Sequence, residues 1–185
     1  MLTTAIIGAG PLGRWLALAS ARAGIRVLLE DVMPANLHHA QEYIRQRLSS
    51  AAIRGEAAHV GFVSSIEDAV RDADLVIDCV PDELESKLEI LWLLDRMAPP
   101  RTVLATPTTR LSIEDLAACT YRPDKCVAIL AEARGLAEGP GSELVLRTTQ
   151  WTSAETIALV QDFWERLGVR PRFETERAEN LRRSD

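Results

Sequence analysis

Residues 8–13 read Gly8-Ala9-Gly10-Pro11-Leu12-Gly13, and what surrounds them leaves few folds open. A β-branched run at 3–8 leads into them. An alanine- and leucine-rich helical stretch at 12–23 follows, stopped by Gly24. In a strand, glycine turn and helix of this kind, the first glycine permits a tight turn. The second lets the backbone approach a pyrophosphate, and the third allows close helix–strand packing. The helix N-terminus adds free N–H groups and the positive end of a dipole. Asp31 lies 18 residues after Gly13, at the end of a second apolar strand at 26–30. An acid there accepts hydrogen bonds from the adenosine ribose hydroxyls and repels a 2′-phosphate, which favours NAD over NADP. Glu30, its neighbour, is placed to share that role. A bare tight turn is the alternative for the glycines; strand, helix and acid together argue against it.

The rest of the chain continues the alternation. Helices are expected at 34–48, 66–71, 82–97, 112–118 and 153–167. Strands are expected at 60–63, 74–80, 101–106, 125–130, 143–149 and 169–174. Pro34 suits a first helical turn, Ser112 and Ser153 suit N-caps, and Pro99-Pro100 closes the longest helix. Residues 49–62 are weakly patterned, and 131–142 carry three glycines and a proline, so both read as loop or shortened helix. Strands alternating with helices imply an α/β fold: a Rossmann-type, doubly wound, mainly parallel sheet with helices on both faces. One such domain uses nearly all 185 residues, with 1–174 as the dinucleotide-binding domain and 175–185 as a polar tail.

Composition removes other classes. With 47% apolar and 26% charged residues the chain is neither disordered nor a disulfide scaffold. A net charge of -6 argues against a nucleic-acid partner. No apolar run is long enough for a membrane span, and the N-terminus lacks the basic flank of a signal peptide. Cys79, Cys119 and Cys126 are unevenly spaced; reduced thiols in a cytoplasmic protein, with no metal site, are the simplest expectation.

The stretches IIGAGPLGR, VLLEDV, SSIEDAVRDADLVIDCVPDELESKLEIL and APPRTVLATPTTRLSI carry a family resemblance. From Ala5 to about Pro171 the chain resembles the NAD-binding N-terminal domain of the L-3-hydroxyacyl-CoA dehydrogenases. The segment from Ile66 to Ile113 is its most specific part. The resemblance places the cofactor on Gly8, Gly10, Pro11, Leu12, Gly13, Asp31, Val80, Pro81, Asp82, Lys87 and Thr108. Asp82 falls near the nicotinamide ribose, and a helix N-cap is the competing reading. Lys87 falls on the family's lysine, and a solvated surface lysine is the competing reading. The implied ligands are NAD and an acyl-CoA-like small molecule, and the implied partners are a second copy or a separate helical subunit.

The catalytic set carries over poorly. Thr109 keeps a hydroxyl at the position of the family's substrate-contacting serine, whereas Pro107 and Arg110 depart from its serine-rich segment. Ala131 stands where the family has its catalytic histidine, and Glu143 where it has the glutamate that orients that histidine. Removing a hydroxyl proton as hydride leaves is work for a positioned base, worth about 10²–10⁴-fold. His38, His39 and His59 lie far upstream, and Glu132 is the nearest substitute. Residues 49–62 are shorter than the family's helical hairpin. Ala178-Glu179-Asn180 replace the motif that leads into its helical domain, so that domain is expected to be absent. The expectation is an NAD(H)-binding protein of the oxidoreductase class that is not active alone, and a non-catalytic NAD(H)-binding sensor or regulatory module is the alternative. Among the remaining residues, Arg14 is expected near the pyrophosphate or in water, and Trp15 and Trp92 in the core. Trp151 and Trp164 are expected to cover an apolar surface that an absent helical domain would leave bare, or to form a self-association contact.

Overall fold

A computed structural model describes residues 1–49, 60–131 and 143–176. The strands are β1 (Thr3–Ile7), β2 (Arg26–Glu30), β3 (Val60–Val63), β4 (Leu75–Asp78), β5 (Val103–Pro107), β6 (Cys126–Ile129), β7 (Glu143–Thr148) and β8 (Arg170–Thr175). The helices are α1 (Pro11–Arg22), α2 (Pro34–Ser49), α3 (Ile66–Val70), α4 (Leu84–Met97), α5 (Ile113–Ala118) and α6 (Ala154–Arg166). The strands form one sheet in the order β3-β2-β1-β4-β5-β6-β7-β8. Every pairing is parallel except β6 with β7. The expected doubly wound α/β sheet is the fold found.

Its two faces follow from the period of two along each strand. Ile6, Val27, Leu29, Leu75 and Ile77 point to one face and pack with Leu16, Ile44, Phe163 and Trp164 of α1, α2 and α6. Ala5, Ile7, Val76 and Leu104 point to the other and pack with Val70, Leu91, Leu94 and Leu116 of α3, α4 and α5. Burial on both sides explains why β1 and β4 read as continuous apolar runs rather than alternating ones. Between β1 and β4 the strand order reverses. That reversal opens a crevice at the carboxyl ends of the strands, where open sheets of this kind bind ligands.

Local chemistry sets the element ends. Ser112 and Ser153 cap α5 and α6 as expected, accepting the N–H of Asp115 at 3.1 Å and of Thr156 at 3.2 Å. The end of α4 is held from outside: Arg122 donates to the carbonyls of Asp95 and of the cap residue Ala98, acceptors that lack intrahelical partners, and to that of Pro99 just beyond the helix. The helix expected over 82–97 begins at Leu84, with Glu83 rather than Asp82 at its cap. Two tryptophan expectations are also corrected. Trp92 is 54% exposed and carries the Arg96 guanidinium 4.7 Å from its ring centroid. Trp164 is buried in the core, edge-on to Phe163. Thr175 ends β8 and Glu176 accepts from the Ser112 hydroxyl and the Glu114 N–H, so residues 175 and 176, expected to begin the tail, belong to the folded body. Residues 177–185, including Ala178-Glu179-Asn180, lie outside the described residues, as do His59, Glu132 and the side chain of Glu143.

Candidate functional site

At the carboxyl end of β1 the chain must turn sharply into α1. Gly8 takes a φ of 102°, a conformation that suits glycine, with Cys79 against the place a Cβ would fill. Gly13 lies so close to the turn that a Cβ would overlap the carbonyl oxygen of Gly8. Gly10 is different: nothing lies within 4 Å of where its Cβ would stand. Gly10 is the N-cap of α1 and offers no side-chain cap, and Pro11 occupies the first turn. The first N–H groups of α1 therefore face open space beside Gly10, the arrangement a phosphate uses.

Asp31 holds this loop in shape. Its Oδ2 accepts the Ala9 N–H at 2.8 Å and its Oδ1 accepts the Met33 N–H at 2.8 Å. The Asn36 amide donates to both oxygens, at 3.2 and 3.1 Å. Two backbone donors and one exposed side chain thus fill the roughly four lone-pair sites of the carboxylate. Glu30, beside it, is also buried. Burial, and then the charge of Asp31, push its carboxyl from 4.5 up to about 7.

A cleft of about 520 Å³ runs along the carboxyl ends of β4, β5 and β6. Leu12, Val80, Pro81, Asp82 and Thr109, all candidate site residues, line it with Ala131, Cys79, Glu83, Pro107 and Arg110. Cys79, read from the sequence only as a reduced thiol, and Glu83 were not among the candidate site residues, although strand-end residues on either side of the crevice are the ones this topology exposes. Burial pushes the Cys79 thiol up, and the charge of Asp78 adds to the effect. Asp82 is not a helix cap. Its Oδ2 accepts the Thr109 N–H at 3.2 Å and its carbonyl accepts from the Arg110 guanidinium at 3.1 Å. Its other carboxylate oxygen, Oδ1, is buried with no hydrogen-bond partner.

Two candidate site residues, Lys87 and Thr108, lie outside the cleft lining. Lys87 is neither at the surface nor in the cleft wall: it is fully buried, and its Nζ donates to Asp78 Oδ1 at 2.6 Å. It joins α4 to the end of β4 and so holds the Cys79–Val80 wall from behind. Burial raises the Asp78 carboxyl above the usual carboxylate range, with the charge of Lys87 pulling the other way. Thr108 is buried too, and its Oγ1 accepts the N–H groups of Arg110 and Leu111, so it shapes the β5–α5 turn. The Arg14 guanidinium lies 5.4 Å from the centroid of the Tyr43 ring on α2, where Arg47 also packs. His38 and His39 are exposed on α2 and do not line the cleft. Trp15 is half-buried against the core.

This geometry fits a dinucleotide: a left-handed glycine, an open cap facing free N–H groups, a buried acid at the end of β2, and a cleft across the reversal point. Comparison with known proteins agrees. The model of the family "3-hydroxyacyl-CoA dehydrogenase, NAD binding domain" matches residues 3–172. The probable 3-hydroxybutyryl-CoA dehydrogenase of Bacillus subtilis is 28% identical over 178 residues, 85% of this chain and 62% of that protein. The L-carnitine dehydrogenase of a Pseudomonas species is 30% identical over 182 residues, 91% of this chain and 53% of that protein. The crystal structure of 5-formyl-3-hydroxy-2-methylpyridine 4-carboxylic acid 5-dehydrogenase, an NAD+-dependent dismutase, superposes with a TM-score of 0.81 at 26% identity. That match covers 98% of this chain and 61% of the other. The chain thus spans just over half the length of these relatives. Glycine turn, strand order and sequence match converge, and the chain belongs to the NAD-binding domain family of the 3-hydroxyacyl-CoA dehydrogenases.

Proposed function

We propose that this chain holds NAD(H) across the β1–β4 crevice and does not, by itself, oxidise a 3-hydroxyacyl-CoA-like alcohol. The open face of Gly10 and the N-terminus of α1 take the pyrophosphate. Asp31 takes the adenosine ribose, and the exposed Asn36 amide is the donor that the ribose hydroxyls displace. Val80, Pro81 and Asp82 face the nicotinamide half, where a rotation of the Asp82 side chain would bring its buried, unpartnered Oδ1 to a ribose hydroxyl. NAD, when bound, supplies the hydride acceptor. The remaining task, taking the hydroxyl proton, falls to the protein.

Ala131 carries the second half of the proposal. It lines the cleft just past β6, where the resemblance puts a base, and a methyl group accepts no proton. The neighbouring groups do not substitute for it. The Cys79 thiol is held protonated by burial and Arg110 is a cation; the carboxylates left in the lining, Asp82 and Glu83, stand on the β4–α4 loop and not at the β6 end where Ala131 is. Thr109 offers a hydroxyl to orient a substrate oxygen. Turnover is expected only where a partner, either a separate helical subunit or a second copy, brings the base. The test is an NADH titration followed by acetoacetyl-CoA reduction with the isolated chain. Tight NADH binding with negligible turnover supports the reading. Robust turnover refutes its catalytic half, and no NADH binding refutes its cofactor half.

A further inference from the structure

We propose that Arg110 is an anion hook for a small substrate that carries a free carboxylate one methylene away from its reacting carbon. The inference rests on the reading of the cleft as the cofactor and substrate site, and it names the substrate class of that site.

The cleft walls are mostly apolar: Leu12, Val80, Pro81, Pro107 and Ala131. Arg110 is its one lining cation among the described residues. A guanidinium has five N–H donors in a planar fork. Among the described residues, that of Arg110 makes one hydrogen bond, to the carbonyl of Asp82, and no ion pair. Its fork is therefore nearly free, although Asp82 and Glu83 line the same cleft.

Its backbone, by contrast, is fixed. The Thr108 hydroxyl oxygen accepts the N–H groups of Arg110 and Leu111 at 3.3 and 3.0 Å. Asp82 holds the adjacent Thr109 N–H. The turn is thus pinned from β5 beneath it and from the β4–α4 loop beside it, which presets the exit direction of the arginine. A preset fork costs less ordering entropy when it closes on a planar anion, and carboxylates match it with two parallel hydrogen bonds.

The position decides which anion. Asp31 marks the adenosine half of the crevice at β2, and the glycine turn marks the pyrophosphate at β1. Arg110 follows β5, on the far side of β4, where the reacting end of a dinucleotide lies in this topology. An exposed Thr109 hydroxyl precedes it, and the small Ala131, just past the neighbouring strand β6, lines the same cleft. A short apolar body with a carboxylate at one end fills such a space.

The test is calorimetric titration of acetoacetate, methyl acetoacetate and acetoacetyl-CoA into the protein alone and into NADH-saturated protein, for the wild type and Arg110→Gln. Acetoacetate is expected to bind the wild type, and Arg110→Gln to weaken it at least about tenfold in both states. Methyl acetoacetate should bind weakly and equally to both proteins, and the NADH affinity should not change. The proposal is overturned if acetoacetate does not bind, or if the ester matches the acid. It is also overturned if Arg110→Gln weakens acetoacetyl-CoA instead, which assigns the hook to a phosphate, or weakens NADH, which assigns it to the cofactor. A wild type that binds acetoacetate but not NADH refutes the cofactor reading and leaves the hook standing. The reverse result refutes the hook alone.

Discussion

Gly10 offers a clean separation of folding from binding. Nothing lies within 4 Å of the place its Cβ would occupy, and its φ of -66° is open to any residue. Two small effects on stability oppose each other in Gly10→Ala. Alanine is a poorer N-cap than glycine by about 0.5–1 kcal/mol. Removing a glycine lowers the entropy of the unfolded chain, which stabilises by about 0.4–1 kcal/mol. The net change in a urea titration should fall within about 0.5 kcal/mol of zero. The added carbon nevertheless stands in the space assigned to the pyrophosphate, and Gly10→Val fills more of it. NADH affinity, read by the enhancement of its fluorescence, should fall at least about a hundredfold for Gly10→Val, about 2.7 kcal/mol. Gly13→Ala is the converse control. Its Cβ would overlap the Gly8 carbonyl, so it should lose at least about 1–3 kcal/mol of stability from overpacking alone. An unchanged NADH affinity in a folded Gly10→Val protein would refute the phosphate assignment and leave the motif a mere turn.

Three further outcomes are expected. Asp31→Asn turns an amide donor toward the N–H of Ala9 or Met33; it should cost about 1–3 kcal/mol by urea titration and narrow the preference for NADH over NADPH. An unaltered cofactor ratio would remove Asp31 from the ribose. Lys87→Met strands the buried Asp78 carboxylate and should cost about 3–5 kcal/mol near neutral pH; the double variant with Asp78→Leu should recover most of it. A loss below about 1 kcal/mol would mean the pair holds nothing. Glu30 keeps its proton to about 7 when folded but only to 4.5 in an ordinary setting. Between those values the folded chain binds more protons than the unfolded one, so this group's stabilising contribution falls as pH rises from 4.5 toward 7. Glu30→Gln should flatten that slope in urea midpoints measured across the window; an unchanged slope would assign it to another group.

The sequence by itself determined the sheet, because its evidence is local. Short strands of four to six residues, serine caps and a glycine turn each act within a few residues of themselves, and the alternation of strands with helices points to a mainly parallel, doubly wound arrangement; the antiparallel β6–β7 pairing is not part of that signal. The absence of an imidazole at Ala131 was also legible, since it depends on residue identity alone. What a side chain touches across the fold was not legible. Lys87 and Asp78 are nine positions apart, and only the packing of α4 on β4 buries them against each other. Trp92 and Trp164 both sit on amphipathic helices, and the docking of each helix decided which ring faces water. Asp82 lost its expected cap because α4 starts two residues later and the β5–α5 turn comes within hydrogen-bonding distance. The same approach aims Arg110 into the cleft. The glycine turn, identified from six letters, became three distinct positions once tertiary structure surrounded it. Gly8 is set by backbone twist and Gly13 by contact, while Gly10 is set by space that the protein itself leaves open.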